Sequence, residues 1–157
     1  MIIRTVQLPD LNQLIWEKSL EEYKSNIEKS LKESLRGDCF YIVAEINGKI
    51  VGQIKASLPK KDFTSYMSAL RIPKEFRNQG IGTELIQYME NLLRKKGYKN
   101  VRISVALDNP NAQRLYERLG YKVVGKRVDT WDYVKDNIGK TFSEEVYDLE
   151  KILDKPE

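Results

Sequence analysis

The stretch Arg77-Asn78-Gln79-Gly80-Ile81-Gly82-Thr83 lies between an extended run, Phe63 to Ile72, and a strongly helical one, Glu84 to Lys96. A glycine-rich turn that empties into a helix start is a chemical device. Glycine lets backbone N–H groups approach a ligand, and the first helical turn holds unpaired N–H donors with positive dipole character. Together these make an anion cradle, most often for phosphate. A third glycine in the dinucleotide fingerprint would fall at position 85, which is Leu85. A Walker A loop requires Gly-Lys-Ser/Thr where this chain has Gly82-Thr83-Glu84. A tight strand-to-helix turn without a ligand is the other reading of these seven residues alone.

Composition narrows the setting. With 157 residues, 41% hydrophobic and 32% charged, the chain reads as one globular domain over 1–157 with a buried core. No apolar run reaches the roughly 18–20 residues of a membrane span, and no signal-peptide pattern precedes the fold. A single cysteine, Cys39, excludes an internal disulfide and suggests a cytoplasmic location. Histidine is absent, which removes His-based triads, HExxH zinc sites and His general bases, so no metal is expected. Charge is uneven: residues 1–127 carry 23 Lys/Arg against 14 Asp/Glu, residues 128–157 carry 4 against 9. A basic body suits a polyphosphate ligand or nucleic acid, and an acidic end suits a cationic substrate.

Working outward from the glycine turn, Asn47-Gly48 separates two β-rich runs, Phe40 to Ile46 and Ile50 to Leu58, and predicts a hairpin. Phe63 to Ile72 then makes a third antiparallel strand. Ile2 to Leu8 reads as a first strand, and 10–36 as one or two helices closed by Gly37. After the turn, Ile81, Leu85, Met89 and Leu92/Leu93 mark the apolar face of a helix ending at Gly97. Val101 to Leu107 alternates as a strand. Asn109-Pro110 opens a further helix, with Ala112, Leu115/Tyr116 and Leu119 inward and Gly120 at its end. Tyr121 to Val128 and Val146 to Ile152 read as strands, while Trp131 to Gly139 fits no single pattern. The expected fold is α/β of the α+β kind: a mixed, mostly antiparallel sheet flanked by helices.

Ile72-Pro73-x-x-x-Arg77-x-x-Gly80-x-Gly82, followed by Asn109 and then Leu115-Tyr116-Glu117-Arg118-Leu119-Gly120-Tyr121, resembles the GNAT family of acyl-CoA-dependent N-acetyltransferases. The match is strongest over about residues 63–124, and the element order agrees with a GNAT-like acyl-CoA N-acyltransferase fold. The resemblance implies that acetyl-CoA is the co-substrate. Backbone groups of Leu70 and Ile72 would bond its pantetheine arm like an added strand. Backbone amides of Asn78, Gln79, Gly80, Ile81, Gly82 and Thr83 would hold its pyrophosphate, with Arg77 assisting. Asn109 would contact the pantetheine or orient its own helix.

It also implies direct acetyl transfer to an amine, with Tyr116 as general acid to the departing thiolate. A phenol near pKa 10 can donate to a thiolate whose conjugate acid lies near about 8.5. Phe63 to Ile72 contains no carboxylate, so the base is expected elsewhere: Glu45 acting through water, or Ser68 holding a relay water. An α-amine with pKa near about 8 suits such a site better than a lysine-type amine, which costs roughly 4 kcal/mol to deprotonate at pH 7.5. Trp131, Tyr133, Asp129 and Asp132 are candidate acceptor-pocket residues, aromatic walls with carboxylates for an ammonium. Residues 129–145 read alternatively as an extended loop for homodimer contacts. Two other classes compete: a non-catalytic acyl-CoA-binding or sensing domain, and a nucleic-acid-binding module, which pI ≈ 9.0 suits but the absence of a basic stripe does not.

Overall fold

Asn47 and Gly48, at φ 50° and 81°, turn β2 (Cys39–Ile46) back onto β3 (Lys49–Ser57) in the hairpin that Asn-Gly predicts. The computed structural model describes residues 1–153; residues 154–157 of the expected domain lie outside the described residues. Seven strands form one sheet in the order β1-β2-β3-β4-β5-β7-β6. The remaining strands are β1 (Ile2–Thr5), β4 (Thr64–Arg71), β5 (Asn100–Ala106), β6 (Lys122–Lys135) and β7 (Ile138–Ile152). Only β4 and β5 run parallel, because the helix α3 (Ile81–Lys96) carries the chain from one to the other. Segment 10–36 resolves into α1 (Leu11–Leu14), a 3-10 stretch (Lys18–Tyr23) and α2 (Lys24–Leu35). The last helix, α4 (Pro110–Arg118), begins as Asn109-Pro110 predicts.

Both faces of β2 are covered, which explains its near-continuous apolar run Cys39-Phe40-Tyr41-Ile42-Val43-Ala44. Cys39, Tyr41 and Val43 pack with Leu14, Ile27 and Leu31 under α1 and α2. Ile42 and Ala44 point the other way, into a larger core with Leu85, Ile86, Met89 and Leu93 of α3. Each such fully buried side chain contributes roughly 1.5–3 kcal/mol. The helix packs closely because β3 has no side chain at Gly52. A Cβ there would stand 2.8 Å from Ile72 Cδ1 and 2.9 Å from Leu85 Cδ1.

Two expectations are corrected. Residues 131–139 are neither an unassigned stretch nor part of an extended loop over 129–145. They belong to a long antiparallel ribbon in which β6 and β7 pair from Lys122↔Glu150 to Lys135↔Ile138. Its turn is Asp136-Asn137, at φ 53° and 62°, with no glycine to announce it. The ribbon buries little, so apolar alternation is weak; cross-strand pairs hold it instead. Trp131 and Phe142, direct partners in register, place their rings 4.8 Å apart, and Thr130 and Ser143 hydroxyls lie 3.0 Å apart.

Candidate functional site

β4 and β5 pair only from Thr64↔Asn100 to Met67↔Ile103. Beyond that point β5 stays with β7 as far as Ala106↔Val146, while the end of β4 parts from it. A second irregularity causes the turn-away. Against β3, Lys55 opposes Ser68 but Gln53 opposes Arg71, so β4 carries one extra residue, a β-bulge. Ala69 sits in it at φ 57°, a left-handed conformation that alanine rarely adopts. Buried Gln53 supports the bulge: its Nε2 donates to the Ala69 carbonyl at 3.2 Å, and its Oε1 accepts from the Tyr41 hydroxyl at 2.6 Å.

The bulge reverses which residues face which side. Tyr66 and Ser68 face α2, and after the extra residue so does Arg71, whereas Leu70 and Ile72 face α3 and α4. Two clefts therefore share β4 as a wall. The one on the α3/α4 side has a volume of about 670 Å³. Leu70, Ile72, Arg77, Asn78, Gly80, Ile81, Gly82 and Thr83 all line it. Gly80 is the helix N-cap at φ 81° and makes no side-chain cap, so the amides of the first turn point outward unpaired. A Cβ on Gly82 would touch only Leu70 Cδ2, at 3.9 Å. Packing thus leaves open space above Gly82. Arg114 and Arg118 of α4 join Arg77 on this wall, and no carboxylate among the described residues lines it. Three cations over a row of free amides fit a pyrophosphate.

Not every expected residue lies there. The Gln79 side chain turns away to the Glu75 carbonyl at 3.3 Å. The Asn109 side chain accepts from Ala112 N at 3.2 Å, so its role in the structure is to cap α4. Arg77 Nε donates to the Ile72 carbonyl at 2.9 Å, tying the strand end to the loop.

The second cleft, of about 760 Å³, lies under α2. Trp131 and Asp129 line it, together with Tyr23, Tyr41, Tyr66, Ser68 and Arg71. Asp132 and Tyr133 line a separate, smaller depression beside it. The reading of these carboxylates as ammonium ligands is corrected in part. Asp129 is 3.0 Å from Arg127, and Asp132 accepts from the Thr141 hydroxyl at 2.9 Å. Glu45 is also corrected: its carboxylate pairs with Arg4 at 3.0 Å on the β1 edge and lines neither cleft. Cys39 is buried, and burial, outweighing the pull of Lys55, pushes its thiol up, as befits a packing residue.

Tyr116 is only 4% exposed and lines neither cleft; its neighbour Leu115 lines the cradle. Its ring meets Tyr121 edge-on, with centroids 5.7 Å apart. Burial alone raises its phenol above the ordinary value, so it stays protonated through neutral pH. Arg71, Arg114, Arg118, Gln53 and Tyr41 escaped the reading of the sequence. A charged residue between Leu70 and Ile72 in a central strand was the visible signal for Arg71.

A parted parallel strand pair, an anion cradle on one side and a polar cleft on the other define a two-substrate transferase fold. Residues 7–121 match the Acetyltransferase (GNAT) family, and the chain belongs to that family. Solved structures share the fold. The PaiA N-acetyltransferase from Thermoplasma acidophilum, in complex with coenzyme A, aligns at TM-score 0.75 and 18% identity over 96% of this chain and 98% of its own. A ribosomal-protein-alanine N-acetyltransferase from Brucella melitensis aligns at 0.75 and 20% over 98% and 100%. Ard1 from Thermoplasma volcanium aligns at 0.75 and 23% over 97% of each chain.

Proposed function

We propose that this protein is an N-acetyltransferase that moves the acetyl group of acetyl-CoA directly to a primary amine, a peptide α-amine or a small-molecule amine. The observation that carries the reading is the parting of β4 from β5 after Met67, with the basic cradle on one side and the polar cleft on the other. Backbone groups of β4 beyond Met67 have no β5 partner, which leaves them available to the pantetheine arm. First-turn amides of α3 with Arg77, Arg114 and Arg118 would hold the pyrophosphate. That the co-substrate structure of the Thermoplasma acidophilum relative contains coenzyme A supports the choice of ligand.

In the transfer, the amine nitrogen forms a bond to the thioester carbonyl, the C–S bond breaks, and the thiolate takes a proton to leave as free CoA. Tyr116 is the proton donor in this reading, which rests on its place in the Leu115-Tyr116-x-x-x-Gly120-Tyr121 motif and on its neighbour Leu115 lining the cradle. The burial that raises its phenol makes it a weaker acid and does not add to that support. The proton that the attacking nitrogen loses as the amide forms passes to solvent, with Ser68 in the cleft able to hold the relay water. No carboxylate in the cleft is free of a cation among the described residues, since Asp129 pairs with Arg127. That observation also suits the alternative of an acyl-CoA sensor.

Thermal shift with acetyl-CoA, followed by thiol release over a panel of amines and peptide N-termini, tests the reading. Stabilisation with turnover supports it. Stabilisation without turnover on any amine assigns the protein as a sensor, and the lack of any shift sinks both.

A further inference from the structure

The charged residues lining the cleft under α2 are Lys55, Arg71, Arg127 and Asp129. Three of them are matched. Lys55 Nζ is 3.4 Å from Glu33 and donates to Ser30 Oγ at 2.9 Å. Arg127 lies 2.7 Å from Asp148 and 3.0 Å from Asp129. Arg71 has no ion-pair partner among the described residues. Its guanidinium stacks over the Tyr23 ring, 5.7 Å from the centroid, and burial is the largest influence on it, lowering its pKa from the ordinary value. Glu17, the carboxylate that acts on it electrostatically, makes no ion pair with it. A half-buried guanidinium without an anion carries a desolvation cost that an arriving anion removes.

Resting on the acetyltransferase reading, we propose that the acceptor carries a carboxylate as well as its amine, and that Arg71 binds that carboxylate. Arg71 is the one charged group lining the cleft without an opposite partner among the described residues, and a carboxylate supplies the single negative charge it lacks. The planar fork of arginine also matches a carboxylate in two parallel hydrogen bonds. Arg71 is held in the cleft by the Ala69 bulge, next in the chain to Leu70, which lines the cradle. A carboxylate at Arg71 therefore sits at the part of β4 that separates the two clefts, where an amine in the same small molecule can reach the acetyl group. The same cleft is lined by Tyr23, over whose ring Arg71 stacks, and by Tyr66, Ile27 and Trp131, walls for an apolar or aromatic body. The acceptor class is thus an apolar amino carboxylate, typified by an aromatic or aliphatic amino acid. Polyamines, with cationic arms, are disfavoured by the same guanidinium.

The test compares each of several apolar amino acids with its own carboxamide, phenylalanine against phenylalaninamide first, in thiol release with acetyl-CoA. The full chain should prefer the acids by tenfold or more in kcat/KM. Arg71→Gln should bring the ratio near one while leaving stabilisation by acetyl-CoA unchanged. Arg71→Lys, which keeps the charge but not the fork, should keep part of the preference. Calorimetric titration of the same acids and amides into the CoA-saturated protein gives a readout without turnover. Equal or better use of the amides or of polyamines overturns the proposal, as does a preference that survives Arg71→Gln. Saturation with CoA but no acid binding and no acid turnover also overturns it. Failure to bind acetyl-CoA instead refutes the acetyltransferase reading beneath it.

Discussion

Gln53 Nε2 donates to the carbonyl of Ala69 at 3.2 Å, from the middle of β3 to the bulge of β4. The same side chain accepts from the buried Tyr41 hydroxyl at 2.6 Å. One fully buried amide therefore satisfies a phenol and the carbonyl at the irregular strand position. Gln53→Leu keeps the volume but strands both groups. Each buried unsatisfied group costs about 1–3 kcal/mol, so an overall loss of roughly 2–6 kcal/mol is expected in urea unfolding. A loss below about 1 kcal/mol would show that the bulge is held by other contacts.

Ala69 adopts φ 57°, where an L-side chain costs roughly 1–2 kcal/mol and glycine costs little beyond its chain entropy. Ala69→Gly should leave stability unchanged or raise it by up to about 1 kcal/mol, with acetyl-CoA binding intact. Ala69→Val, β-branched in the same conformation, should lose about 2 kcal/mol or more. Denaturant midpoints of the two variants decide this, and a destabilised glycine variant would contradict it.

Gly52 and Gly82 predict opposite outcomes for the same added methyl. At Gly52 it meets Ile72, Leu85 and Ile81 side chains at 2.8, 2.9 and 3.1 Å, so Gly52→Ala should cost about 1–3 kcal/mol by overpacking. At Gly82 it meets only Leu70, and alanine is the better helix former, so Gly82→Ala should be neutral or gain up to about 1 kcal/mol. The methyl would nevertheless occupy the cradle, and acetyl-CoA affinity should fall at least tenfold. An alanine variant that binds acetyl-CoA normally would remove Gly82 from the ligand site.

Much of this was legible in the residues. Asn47-Gly48, Arg77–Thr83 and Asn109-Pro110 state their turns and caps because each needs a specific backbone chemistry. What stayed hidden has equally physical causes. The bulge rests on an alanine, and nothing in Ser68-Ala69-Leu70 signals a left-handed residue, so the direction of Arg71 could not be read. The ribbon turns on Asp136-Asn137 without glycine and is stabilised by pairs such as Trp131–Phe142, which only register reveals. Glu45 looks free in the sequence because its partner Arg4 is brought to it only by the pairing of β1 with β2. Asp129 has Arg127 two residues away, a neighbour on the same face only once Lys122–Lys135 forms a strand.

Asp10 ties the first strand to the segment after it and makes stability depend on acid pH. Hydrogen bonds from Arg4, at 2.8 and 2.9 Å, are the chief reason its carboxyl lies below the usual range; burial opposes and the Gln7 amide assists. Because the folded value is lower than the unfolded one, near about 3.9, the unfolded chain takes up protons first. The stabilisation is complete above that value and is lost as pH falls through the folded value. Asp148 acts in the same window: burial opposes, but hydrogen bonds from Arg127 and Ser104 hold its carboxyl down. Urea midpoints should fall between pH 5 and pH 2. Arg4→Met should be less stable at pH 7 and lose less on acidification, and equal losses in both proteins would refute the assignment.

Tyr116 combines a phenol that burial raises, and so keeps protonated at neutral pH, with a hydroxyl that makes no side-chain hydrogen bond among the described residues. Its packing is carried by the ring against Tyr121. Tyr116→Phe therefore keeps the packing and should alter stability by less than about 1 kcal/mol, with acetyl-CoA affinity unchanged. If the phenol protonates the departing thiolate, kcat should fall about a hundredfold or more, the range that positioned acids contribute. The deficit should be greatest with acetyl-CoA and smaller with an acetyl donor whose thiol has a lower pKa, because such a group leaves without a proton. A variant with full kcat would make Tyr116 a core residue only. A variant slowed equally with both donors would place its effect on geometry rather than on proton transfer.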